Sequence, residues 1–339
     1  MMRTGQAIAI VIFIVCLYFS WQIRQVLLLV FSAIVIAVAL NRLVRVFQRL
    51  RIKRPIAIFL SIALLLLLIA GFFILVVPPF LTQLQDLATL APEGLERLRS
   101  WSGWLRDIIP DQFVQETRNW GGLAEQLRSL TFNLFGNFLT LFTNSLGVLL
   151  NVLIVLVLTI MLLASPTPYR QGFTLLFPAS YRPRVEEILQ QCERSLGGWV
   201  TGTLANMVII SVLNAIALLI LQVPLALANG VLSGVLTFIP NIGPTLSTIP
   251  PILLALLDSP EKAIAVLIAY IAIQQLESNV LTPLIMQRQV SLLPAVTLAS
   301  QLVFASFFGF LGLFLALPLL VVTQVWVKEL LVKDVLNQR

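Results

Sequence analysis

The sequence predicts an all-α integral membrane protein, with about six full transmembrane spans, two re-entrant helical hairpins and a small amphipathic-helix region at the outer face. Three observations carry that prediction. Of the 339 residues, 59% are hydrophobic and only 11% charged, against roughly 45–50% apolar and about 25% charged in a soluble domain. The basic excess, 22 Lys and Arg over 15 Asp and Glu, gathers mostly in short segments between apolar runs, where it acts as a topology signal. The third is the stretch 238–256, FIPNIGPTLSTIPPILLAL, as apolar as a span yet holding prolines at 240, 244, 250 and 251. Interior prolines remove backbone donors and clash with the preceding turn. Irregular backbone at membrane depth survives only inside protein or against a water-filled cavity.

The first two apolar runs cover 7–21 and 26–40. A second run so soon after the first, with no small-residue cleavage site between, argues for a retained span rather than a signal peptide. Next comes NRLVRVFQRLRIKRP, which carries Arg42, Arg45, Arg49, Arg51, Lys53 and Arg54 and no acid. This places the loop in the cytoplasm, together with the N-terminus two crossings away, and attracts anionic lipid. The third span, 55–77, runs outward to Pro78 and Pro79. Residues 81–135 differ in composition, with five Arg, seven acidic residues and tryptophans 101, 104 and 120. Leucines near helical spacing, interrupted by Pro92, Pro110 and Gly121-Gly122, describe short amphipathic helices.

The fourth span covers about 138–164 and returns inward. In 169–194, Pro183 suits the first turn of a helix, and Glu186 and Glu187 suit its positive end. The fifth span, 200–221, leads outward. The run 225–239 is short for a crossing, PNIGP breaks it, and 246–257 continues to Asp258, Glu261 and Lys262. That pattern describes a hairpin entered from outside. After an inward span from 263, the stretch 293–327 is too long for one crossing and is interrupted at Gly309 and Gly312. Lys328, Lys333 and Arg339 belong in the cytoplasm, so a second hairpin, entered from inside, satisfies the count. The spacing Phe238, Gly243, Pro250 parallels Phe307, Gly312, Pro318, which suggests an inverted repeat; the alternative is that either hairpin is two complete, kinked spans.

Exclusions are equally informative. The chain has no histidine, which removes Ser-His-Asp and Cys-His catalysis and the usual zinc centres. Cys16 and Cys192 lie on different layers and indicate neither a disulfide nor a metal pair. No G-x-x-x-x-G-K-[ST] loop is present. Neither an enzyme, nor a bound cofactor or metal, nor a nucleic-acid partner is expected.

The polar residues concentrate in QQLESNVLTP. Gln274, Glu277 and Ser278 share one helical face, Asn279 and Thr282 follow, and Pro283 ends the segment. An ionisable group at membrane depth is costly and by default functional. Glu277 can carry a proton or coordinate a cation. The competing reading is a helix cap in which Glu277 pairs with Arg288.

The segments FIPNIGPTLSTIPP, LESNVLTPLIMQRQVSLLP and FFGFLGLFLALP together resemble the autoinducer-2 exporter family of bacterial membrane proteins, and the resemblance covers nearly the whole chain in layout. It implies export of a small polar solute such as the signalling furanone, or cation/proton antiport. The expected organisation is a three-span bundle over 1–80, extracytoplasmic helices over 81–135, the fourth span and a cytoplasmic helix over 136–199, a transport core over 200–327 and a cytoplasmic tail over 328–339. Candidate pathway residues are Pro240, Asn241, Gly243, Pro244, Gln274, Glu277, Asn279, Thr282, Gly309 and Gly312. Pro250, Pro251, Pro283, Arg288 and Pro318 are the gating or structural candidates. The reading is of a homo-oligomeric secondary transporter in the inner membrane, working by alternating access with H+ or Na+. A channel-like or scaffolding membrane protein is the alternative.

Overall fold

The computed structural model describes residues 21–79, 146–283 and 294–330, together with positions 15, 18, 19 and 82. Apart from Val15, Tyr18, Phe19, Trp21 and Thr82, the expected first span and the amphipathic helices of 81–135 lie outside the described residues, as do Arg288 and most of the C-terminal tail. Those described are helical, with no strand among them. Five helices are long and apolar enough to cross a membrane, or six if a bent pair counts as one span.

In chain order the elements are α1 (Arg24–Arg49), α2 (Arg54–Leu75), α3 (Leu146–Ala164), α4 (Pro166–Thr174) and α5 (Arg182–Ile220). Then follow α6 (Ala226–Leu236), α7 (Ile242–Asp258), α8 (Pro260–Leu276) with a π-helical turn at Glu277–Leu281, and α9 (Pro294–Trp326). The bent pair is α3 and α4, which turn by 92° across Ser165, where Pro166 opens a new helix.

The chain forms two compact units. One contains Met1–Leu66, Asn151–Ala205 and Thr282–Arg339. Its α1–α2 hairpin packs Leu40, Val44 and Ala57 around Leu163 of α3. Thr159 donates to the Ala33 carbonyl oxygen at 3.4 Å, and α9 packs on α1. Charge ties the polar end of this unit together. Arg170 bridges Glu186 and Glu193, and Glu193 also accepts from Arg45 at 3.2 Å. Arg184 reaches Glu329 at 2.9 Å, beyond the end of α9. Glu329 is only 1% exposed, so the pair substitutes for lost hydration of the carboxylate. The Phe177 and Trp326 rings stack beside it at 6.4 Å.

The other unit contains Leu67–Leu150 and Asn206–Leu281. Its core joins Leu218, Val223, Ala226, Ala255, Ala263, Val266 and Tyr270. Helix α6 approaches α5 closely through Gly230 and Gly234. A Cβ at Gly230 would meet Ala215, and one at Gly234 would strike the Ser211 hydroxyl and the Met207 carbonyl oxygen. Small residues four apart allow such contact between membrane helices. The turn into α8 is capped: Ser259 Oγ accepts from the Lys262 backbone N–H at 3.2 Å, and Pro260 takes the first position. Lys262 also pairs with Asp258 at 2.6 Å and donates to the Gln222 carbonyl oxygen at 2.9 Å.

The arm expected over 246–257 is continuous: α7 runs without interruption from Ile242 to Asp258 through Pro244, Pro250 and Pro251. Pro244 stands in the first turn, where no intrahelical donor is needed. Ser247 and Thr248 donate their hydroxyls to the Pro244 carbonyl oxygen at 2.8 Å each, which satisfies the hydroxyls within the helix. The break itself is confined to 237–241.

Candidate functional site

Three places collect the sequence-predicted residues. The first is the tip between α6 and α7, which pack against each other. Pro240 and Asn241 form the turn, and Asn241 has φ 67° and ψ −46°, a γ-turn geometry closed by the Ile242 N–H on the Pro240 carbonyl oxygen at 2.8 Å. Gly243 lies so close to α6 that a Cβ would collide with the Leu236 carbonyl oxygen. The 243 N–H returns to the Ile239 carbonyl oxygen at 2.8 Å. Thr245 donates to the Asn241 carbonyl oxygen at 2.9 Å. Pro250 and Pro251 lie buried within α7, away from the turn.

The second place is inside α9. Gly309 has φ 63° and ψ −146°, a region essentially reserved for glycine. The chain folds back there, since a Cβ on Gly312 would strike the Phe304 carbonyl oxygen, eight residues earlier. An unbroken helix would keep those residues about 12 Å apart along its axis. The interruption expected at Gly309 and Gly312 is thus a helical hairpin with a one-residue turn, and buried Pro318 lies in its second arm. Phe304 and Phe308 stack at 6.0 Å and Phe307 meets Trp21 edge-on at 5.7 Å.

The third place is the end of α8. Glu277 is 8% exposed and opens the π turn, a distortion that recurs at functional positions. Its Oε1 accepts from the Asn206 side-chain amide of α5 at 2.6 Å. The amide oxygen of Asn206 is buried with no hydrogen-bond partner among the described residues. A buried carboxylate beside an unsatisfied amide oxygen is an acceptor-rich arrangement, suited to a proton or a cation. Gln274 is half-buried on the same helix, while Asn279 turns away, exposed, and bonds back to Gln275 at 2.9 and 3.0 Å. Thr282 and Pro283 are exposed. The Glu277–Arg288 pairing falls partly outside the described residues. No group of three or more His, Cys, Asp or Glu suited to a metal occurs among those described.

Sequence reasoning passed over Asn206 and the buried polar seams of the hairpins. On α6, Asn229, Ser233 and Thr237 are buried at successive turns, and Ser233 hydrogen-bonds the Tyr270 hydroxyl at 3.0 Å. On the first arm of α9, Thr297 and Gln301 are buried one turn apart. The available signal was a polar residue every fourth position within an apolar run.

Comparison with known proteins agrees with this layout. The family model described as AI-2E family transporter matches residues 8–332. YueF of Bacillus subtilis (strain 168), named as a transport protein, is 25% identical over 97% of this chain and 88% of its own. The AI-2 transport protein TqsA of Escherichia coli (strain K12) is 26% identical over 88% of this chain and 84% of its own. YhhT of the same strain, also named for transport, is 25% identical over 90% and 84%. Two helical hairpins within a set of membrane-length helices, and a match over almost the full length, lead to one conclusion: this chain belongs to the AI-2E transporter family.

Proposed function

We propose that the protein is a secondary transporter of the bacterial inner membrane that exports a small polar solute, coupled to H+ or Na+. A membrane transport role follows from the family. The name of TqsA supports an autoinducer-2-like solute or a related metabolite. The observation that carries the coupling is the buried Glu277 bonded to Asn206 at 2.6 Å. A carboxylate withdrawn from water must be neutralised by a proton, a cation or a partner, and Asn206 is neutral. Alternation between a protonated and a cation-paired or ionised Glu277 links charge movement to conformation. The turn at 240–244 offers the exposed Asn241 side chain to the solute, because the backbone groups around it are hydrogen-bonded within the turn. Basic segments 42–54 and 169–194 and both termini face the cytoplasm in this reading, 81–135 and 258–262 face outside, and the working form is a homo-oligomer.

The test is solute flux in reconstituted vesicles across a range of pH, with and without a proton or sodium gradient. Glu277→Gln should remove the pH dependence of coupled flux. Asn206→Ala, which deletes a charge-assisted hydrogen bond, should weaken coupling by about tenfold. A pH profile unchanged in the Gln variant would remove Glu277 from the mechanism.

A further inference from the structure

The basic turn between α1 and α2 divides its six cations into two classes. Arg45 pairs with Glu193, Arg54 donates to the Leu163 carbonyl oxygen at 3.3 Å, and the Arg42 guanidinium lies against Gly197. Those three are engaged within the fold. All six are exposed, and Arg49, Arg51 and Lys53 differ in their lack of partners: none of these three has a side-chain hydrogen bond or ion pair among the described residues. No acidic residue occurs before Asp86 in the sequence, and the nearby Glu193 is already shared by Arg45 and Arg170.

The apex itself is unusual for a solvated loop. Helix α1 ends with the Ile52 N–H on the Phe47 carbonyl oxygen at 3.2 Å and the Arg51 N–H on that of Gln48 at 3.0 Å. This bonding pattern places a left-handed residue just past the helix, normally glycine. Here the position is Arg51, with φ 64°, so a cationic side chain is kept where glycine would be less strained. Between the cations Leu50 is 67% exposed, and Val46 and Ile56 flank the turn at 51% and 53%. Free cations interleaved with exposed aliphatic side chains, at the common end of two membrane-length helices, match the boundary between headgroups and acyl chains.

We propose that Arg49, Arg51 and Lys53 form a binding site for anionic phospholipid, the headgroup phosphates meeting the three cations and Leu50 entering the acyl boundary. Purified protein in mixed phosphatidylglycerol and phosphatidylethanolamine is assayed for retained lipid by native mass spectrometry. Each cation near an anionic surface is worth roughly a fivefold change in partition. Arg49→Gln with Arg51→Gln and Lys53→Gln should therefore lower phosphatidylglycerol preference by on the order of a hundredfold. The variant with Arg49→Lys and Arg51→Lys should keep it. Equal retention in the Gln variant would overturn the site, and so would loss in the charge-conserving variant. Displacement by inorganic phosphate as effective as by soluble phosphatidylglycerol would point to a free-anion site and overturn the lipid assignment.

Discussion

The two helical hairpins solve one geometric problem with different residues. In the first, α6 and α7 are separated by a five-residue connection, 237–241, and the left-handed position is taken by Asn241. In the second, the reversal is concentrated at Gly309. Both then place a glycine against a carbonyl of the preceding arm, Gly243 on Leu236 and Gly312 on Phe304. Both bury polar residues one turn apart in the first arm. The tips diverge in chemistry: Asn241 and Thr245 make the first polar, while Phe307, Phe308 and Phe310 surround the second with aromatic surface. Close crossing is therefore the shared requirement, and tip polarity is where the two differ. The polar tip is the better candidate for solute recognition, and the aromatic tip for closing against apolar surface.

The sharpest way to break the comparison is to add a side chain at the crossing glycines. Gly243→Val and Gly312→Val each force a backbone carbonyl to move, because the collision is with main chain and not with a flexible side-chain end. Both should lose a monodisperse folded population by fluorescence-detected gel filtration, a penalty of about 3 kcal/mol or more each. A well-folded Gly312→Val protein beside an unfolded Gly243→Val would show that only the first hairpin depends on close approach.

Anchoring separates the hairpins by a smaller step. Beyond the second arm of α9, Glu329 holds Arg184 through a buried ion pair, whereas α6, the first arm of the other hairpin, is held by the neutral Ser233–Tyr270 bond. Glu329→Gln removes the buried charge partner of Arg184, which keeps its exposed Glu187 partner and a carbonyl contact, and should cost about 3 kcal/mol. Tyr270→Phe removes a hydroxyl from Ser233, which still donates to the Asn229 carbonyl oxygen at 2.9 Å. That change should cost about 1 kcal/mol. Thermal melting of the two variants in one detergent ranks them, and equal shifts would erase the distinction.

What could be read in advance follows from how local each signal is. Gly309 and the Pro240–Pro244 cluster break helical periodicity within a few residues, so both reversals are visible in the sequence. Glu277 stands out because a carboxylate ends an apolar run. Its partner does not, since Asn206 lies 71 residues away on another helix. The Arg184–Glu329 bond spans 145 residues and was equally invisible. Pro250 and Pro251 lie within the continuous arm expected over 246–257, because a helix buried among neighbours can absorb proline. The polar seam of α6 was legible in principle, yet Asn229, Ser233 and Thr237 stand out only once an apolar helix is known to be there.

The smallest effect concerns the left-handed position of the first tip. Asn241 has φ 67° and ψ −46°, so glycine there relieves backbone strain, as it does for Gly309 in the second hairpin. Against this stands the larger unfolded-state entropy of glycine. The two terms nearly cancel, and Asn241→Gly should shift stability by less than about 1 kcal/mol. Flux is the more informative readout. If the Asn241 amide contacts solute, the Gly variant keeps its stability and loses transport affinity, by about tenfold for one hydrogen bond. If Asn241 only shapes the turn, flux is unchanged or rises. The first tip would then do no more than the second, and solute recognition would rest on Glu277 and Asn206.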